Sequence, residues 1–149
     1  MQTALLLIVI AVVLGVGWIR YAPTDPDDWH VDPAEAGDPG AQGYRVIGRE
    51  APRFPGDPNI VLAAFVAVAR AEPRVWLLDG SNDEGMVTLV ARSKWVGFRD
   101  YITVKAVAES SSTKLAVTSR SRYDIGSDRG VNRERLDRWF AELEQILVK

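Results

Sequence analysis

The chain contains no cysteine. That absence excludes disulfides, thiolate metal ligands, a cysteine nucleophile and a lipidated lipoprotein cysteine, and it leaves the compartment open. Histidine is nearly absent too. His30 stands alone in a Pro/Gly/Asp-rich stretch, where it reads as solvent-exposed, because a catalytic imidazole needs an orienting partner and a pocket. The serines of "ESSST" and "TSRSR" lie in no nucleophile-elbow pattern, so a Ser-His-Asp hydrolase is not expected. A large charge excess is also missing. The net charge is -2 and the pI about 5.4, which gives nucleic-acid binding no global electrostatic support. "DPDDWHVDP" supplies Asp25, Asp27, Asp28 and Asp32 but lacks the spacing and closing glutamate of a calcium loop. No metal and no cofactor is expected.

Charge is missing altogether from residues 4–19, "ALLLIVIAVVLGVGWI". As a helix this run spans roughly 24 Å, slightly less than a hydrocarbon core of about 30 Å. The flanking residues make up the difference, and Trp18 with Tyr21 suits the headgroup level. Nothing basic precedes the run, and only Gly15-Val16-Gly17 offers a small-x-small site, so a retained anchor is favoured over a cleaved signal peptide. The run has no polar face, which argues against a soluble core helix. Arg20 is the sole basic residue near it and leaves the charge rule for sidedness close to a tie. The expected organisation is an anchor over residues 1–22, a linker over 23–43 with Trp29 as a candidate docking residue, and a domain over 44–149.

Within that domain, residues 43–50 read as a short edge strand. Asp57-Pro58 starts a helix, with Asp as cap and Pro at the first helical position. Val61, Leu62, Phe65, Val68 and Ala69 form its apolar stripe and Glu72-Pro73 stops it. Four strand-like runs follow, "RVWLL", "MVTLVAR", "YITVKAVAE" and "TKLAVTSRSRY", joined by short turn-rich stretches that favour an antiparallel meander. A final helix over 132–148 presents Leu136, Trp139, Phe140, Leu143, Ile146 and Leu147 on one face, with Arg133/Asp137, Glu134/Arg138 and Arg138/Glu142 spaced for ion pairs on the other. The fold class is therefore α+β: a transmembrane helix, then an antiparallel sheet of about four or five strands with two helices on one face.

"SDRGVNRERL", residues 127–136, admits two readings. As structure, Asn132 is the N-cap of the last helix, Val131 and Leu136 are its hydrophobic staple, and Gly130 permits the turn. As a site, Arg120 and Arg122 at the end of the preceding strand would converge with Arg133 and Arg135 on an anion. Asp128 would orient one arginine and Asn132 would form the floor. A second basic and aromatic group, Arg92, Lys94, Trp95, Phe98 and Arg99, suits a membrane surface or single-stranded nucleic acid. The favoured reading is that Trp95 and Phe98 cover the end of the sheet core.

"DPDDWHVDP", "AEPRVWLLDGSNDEG", "ARSKWVGFRDYITV" and "SRSRYDIGSDRGVNRERL" together resemble the bacterial domain-of-unknown-function family 1499. Its Ser-Asp-x-Gly-Val-Asn-Arg-x-Arg motif is matched by Ser127, Asp128, Gly130, Val131, Asn132, Arg133 and Arg135. The resemblance implies an exported or anchored protein of the bacterial cell envelope and tips the expected topology towards a single pass of the inner membrane with a periplasmic domain. It brings no activity. The functional expectation is a noncatalytic membrane domain that binds an anionic lipid or an acidic partner protein near the bilayer, with no nucleic-acid partner. The alternatives are an envelope hydrolase or transferase with Asp128 or Asp124 as general base, and a scaffold, which an exposed apolar patch on the sheet face away from the helices would favour.

Overall fold

A computed structural model of the chain describes residues 1–148; Lys149, the last residue of the expected domain, lies outside them. The apolar run forms α1 (Gln2–Tyr21), with no residue buried against the rest of the chain. It is long and apolar enough to cross a membrane. A signal sequence near an N-terminus would meet the same criterion.

The remainder is α+β. Strands β1 (Gly43–Val46), β2 (Arg53–Pro55), β3 (Val75–Ser81), β4 (Met86–Arg92), β5 (Arg99–Glu109) and β6 (Ser112–Ser121) form one antiparallel sheet in the order β1-β6-β5-β4-β3. β2 also pairs with β6, lower on the same edge, so β1 and β2 act as one broken edge strand. Short turns hold β3 to β6 in a meander, as the connection lengths require.

Helices α2 (Pro58–Ala71) and α3 (Val131–Leu147) pack on one face. The α2 stripe Val61, Leu62, Phe65, Val68 and Ala69 is wholly buried. It meets Leu89, Ile102, Val104, Leu115 and Val117 from alternate strand positions, with Leu136, Trp139 and Leu143 of α3. Trp139 meets Phe65 edge-on, with ring centroids 5.8 Å apart. Each large apolar side chain removed from water here contributes about 1.5–3 kcal/mol. Pro58 opens α2 as the sequence requires, although Asp57 makes no side-chain cap.

The opposite sheet face corrects the sequence reading. Residues 23–43 do not stand the domain off α1; much of the stretch lies as a strap across the sheet. Trp29 stacks on Tyr101 at 3.8 Å. His30 is not free in solvent, because its Nδ1 lies 2.8 Å from Thr88 Oγ1, which in turn meets Thr103 Oγ1 at 2.8 Å. Thr103 donates to the Trp29 carbonyl, Asp32 pairs with Lys105, and Arg45 donates to the carbonyls of Pro33 and Ala34. The face whose exposure would favour a scaffold is thus covered. Hydroxyls and charges on alternate strand positions give the strap polar partners that an exposed face would have offered to water.

Candidate functional site

Three features meet at one end of the sheet: the end of α1, the β4–β5 loop, and the segment from β6 into α3. Arg99, at the start of β5, is buried and donates to the Ala22 and Arg20 carbonyls and to Thr24 Oγ1. Arg122, just beyond β6, donates to Thr24 Oγ1 and to the Pro23 carbonyl at 2.9 and 2.7 Å. The last carbonyls of a helix have no internal partners and carry its negative pole, so guanidinium groups are suited to cap them. Arg20 closes the arrangement by donating to the Trp95 carbonyl at 3.0 Å.

The four arginines expected to converge are divided between the two sides of the sheet. Arg120 lies over the Trp29 ring at 4.4 Å and donates to the Asp28 carbonyl, so it and Arg122 hold the strap. Arg133 is exposed on α3, 3.8 Å from Asp137 and over the Tyr44 ring. Arg135 is mostly buried and pairs with Asp100 at 2.9 Å. The physical reason is the strand register. Residues 120 and 122 share the strap face, whereas Ser119, Ser121 and Asp100 face the helices.

Asn132 is not the N-cap. The helix begins at Val131 after Gly130 at φ +81°, and Asp128 satisfies its first turn. Asp128 Oδ1 accepts from the Gly130 amide, and Oδ2 accepts from both the Asn132 amide and Nδ2. Asn132 is buried, and its Oδ1 accepts from Ser119 Oγ and from Arg135 Nη1. The staple is not made, since Val131 is 48% exposed while Leu136 is buried. Burial acts to raise the Asp128 pKa. The hydrogen bonds from Gly130 and Asn132 and the charge of Arg135 outweigh it and hold the carboxyl below its ordinary range. Asp124 is exposed.

Two open depressions adjoin at this end. One, of about 390 Å³, is lined by Phe98, Arg99, Tyr123, Ile125 and Val131 among others. The other, of about 250 Å³, is lined by Arg74, Arg92, Lys94, Arg135 and Arg138, with Glu72 and Glu134. Ser93, Phe98, Asp100 and Val131 border both. Arg138 pairs with Glu72 and Arg135 with Asp100. Among the described residues Arg74, Arg92 and Lys94 form no ion pair. Arg92 Nε, Arg99 Nε and the Tyr123 hydroxyl are buried without a protein partner, as are Thr118 Oγ1 and Trp139 Nε1 elsewhere in the domain. Among the described residues no group of acidic and histidine side chains could hold a metal ion.

Residues 44–143 match the family described as Protein of unknown function (DUF1499). The chain belongs to this family. No curated protein and no solved structure matches it. The DUF1499 match takes in nearly the whole sheet, α2 and most of α3, and leaves α1 and the strap outside. Within the DUF1499 region, "SDRGVN" builds a helix start and the two arginines of "SRSR" tie down the strap.

Sequence reasoning grouped Arg92, Lys94 and Arg99 with the aromatic loop but did not see Arg74 or Asp100. Arg74 enters through its positive φ of 66° after Pro73, a turn signal that carries no hint of its neighbour 18 residues on, Arg92, whose carbonyl it meets. Asp100 had a visible signal: it continues the alternation of Ile102 and Val104, which puts a carboxylate on the helix side.

Proposed function

We propose that this protein is a single-pass membrane protein whose noncatalytic domain binds an anionic amphiphile at the surface of the bilayer that holds α1. In this reading α1 is a retained anchor in the bacterial inner membrane and the domain is periplasmic. One observation carries the ligand class. A depression lined by unpaired cations adjoins one walled by Phe98, Ile125 and Val131, at the end of the sheet where α1 emerges. A phosphate or carboxylate suits Arg92, Lys94 and Arg74, and an apolar chain suits the neighbouring depression. Asp128, Asn132 and Arg135 then serve as the supporting wall, while Arg120 and Arg122 hold the strap and Arg133 contributes to the surrounding positive potential.

The hydrolase or transferase reading has less support. A general base works best with a pKa near the operating pH, and the Asp128 carboxyl is held low by donors that occupy both of its oxygens.

Native mass spectrometry of the full chain, extracted in a lipid-preserving polymer, tests the proposal beside an Arg92→Glu, Lys94→Glu variant whose fold is checked by circular dichroism. The expected result is an anionic lipid bound to the parent and lost from the variant. An empty parent, or a variant that keeps the same lipid, would sink the reading.

A further inference from the structure

The β4–β5 loop, residues 93–98, presents the most exposed tryptophan of the domain. Trp95 is 81% exposed and Phe98 41%, so they do not cover the sheet core as the sequence suggested. Two exposed aromatics within four residues, beside an exposed apolar helix, make a patch of the kind that marks a contact with protein or membrane. The loop also closes on itself through hydrogen bonds. Ser93 Oγ accepts from the amides of Gly97 and Phe98 at 3.1 and 2.9 Å, and the Ser93 amide donates to the Phe98 carbonyl at 2.8 Å. Gly97, at φ +88°, lies so close to Arg20 that a Cβ there would stand 2.8 Å from Arg20 Cγ. Together with the Arg20 bond to the Trp95 carbonyl, this fixes the loop beside the last turn of α1, at the level of Trp18 and Tyr21. Lys94 Nζ sits 5.0 Å from the centre of the Trp95 ring. An ammonium beside an amphipathic ring is the pairing found at the headgroup layer, where the ring sits among glycerol groups and the cation meets phosphate.

We propose that this loop is a second membrane contact, with Trp95 and Phe98 seated in the headgroup layer beside α1 and Lys94 on anionic phosphates. The inference rests on α1 being a retained membrane helix. It does not require that the adjoining depressions hold a ligand, although Lys94 and Phe98 border them. Seating the loop would hold the domain against the bilayer.

The absence of cysteine makes the test direct. Single-cysteine variants Val96→Cys (loop), Val12→Cys (α1) and Asp83→Cys (turn at the far end of the sheet) are labelled with an environment-sensitive fluorophore. Each full chain is reconstituted into vesicles of phosphatidylcholine and phosphatidylglycerol, without quencher or with lipid carrying a nitroxide either near the top of its acyl chain, to read position 96, or near the end of the chain, to read position 12. The expected result is quenching several-fold stronger at positions 96 and 12 than at 83, with the signal at 96 alone reduced by Trp95→Ala, Phe98→Ala. Quenching at 12 with position 96 behaving like 83 would overturn the docking and leave the anchor standing. No quenching at 12 would overturn both. A blue-shifted, unquenched label at 96 would mean that protein covers the loop, and that too would overturn the proposal.

Discussion

Asp128 shows how one carboxylate can serve two elements. Its oxygens take the free amides at the start of α3 and also hold Nδ2 of Asn132, whose own oxygen faces Ser119 on β6. Asp128→Ala therefore removes a helix cap and strands a buried amide. The expected loss is about 1–3 kcal/mol in urea denaturation. Arg133→Ala, on an exposed side chain, should stay within about 0.5 kcal/mol; a comparable loss there would contradict the division between the two. Acid should reveal the same carboxyl. Its pKa is lower folded than in the unfolded chain, so the stability it supplies is complete above the ordinary aspartate value of about 4 and is lost as the pH falls through the folded value. The parent should lose stability below about pH 4 more steeply than Asp128→Ala. Parallel curves would show that other groups govern the acid transition.

The strap is the element least expected from the sequence, and Trp29 is its main apolar contact with the sheet. Trp29→Ala should cost about 2–3 kcal/mol, less than a fully buried tryptophan, because the ring is only partly enclosed. Its signature would be local: faster amide exchange and protease cleavage within residues 23–36, with the α2 and α3 amides unchanged. Uniform acceleration throughout the domain would mean that the strap is part of the global folding unit. The reason the strap was missed is physical. Pro, Gly and Asp forbid regular elements, which the sequence shows, but they do not forbid an irregular segment from bonding to a sheet through its carbonyls and a few side chains. Periodicity revealed α2, α3 and the four-strand meander because each buries one regular face. It could not reveal β2, with only 3 residues, nor which arginines meet, since partners such as Arg99 and Ala22 lie 77 residues apart. The strand alternation did carry part of the answer. It put Arg120 and Arg122 on one face, but the face opposite the α3 start could be identified only once the helices were assigned to a side.

At the scale of the whole molecule, six cations that form no ion pair among the described residues, Arg20, Arg74, Arg92, Lys94, Arg99 and Arg122, gather where α1 emerges, whereas Arg53 and Lys114 near the β5–β6 turn are both paired with Glu109. An anionic surface on the α1 side would meet the positive end first. How firmly that end is held depends on Arg99. It bridges the Arg20 and Ala22 carbonyls and Thr24 Oγ1 with two nitrogens of one planar group, a fork that lysine cannot reproduce. Arg99→Lys keeps the charge but leaves buried acceptors unfilled, so it should cost about 1–3 kcal/mol and loosen α1 from the domain. Spin labels at Val13→Cys and Asp83→Cys would read this as a distance distribution that is narrow in the parent and broad in Arg99→Lys. An unchanged width would show that Arg122 and the Arg20 contact with Trp95 suffice to hold the helix. A broad parent distribution would mean that α1 and the domain move independently, and the loop of residues 93–98 would then have no fixed height above the membrane.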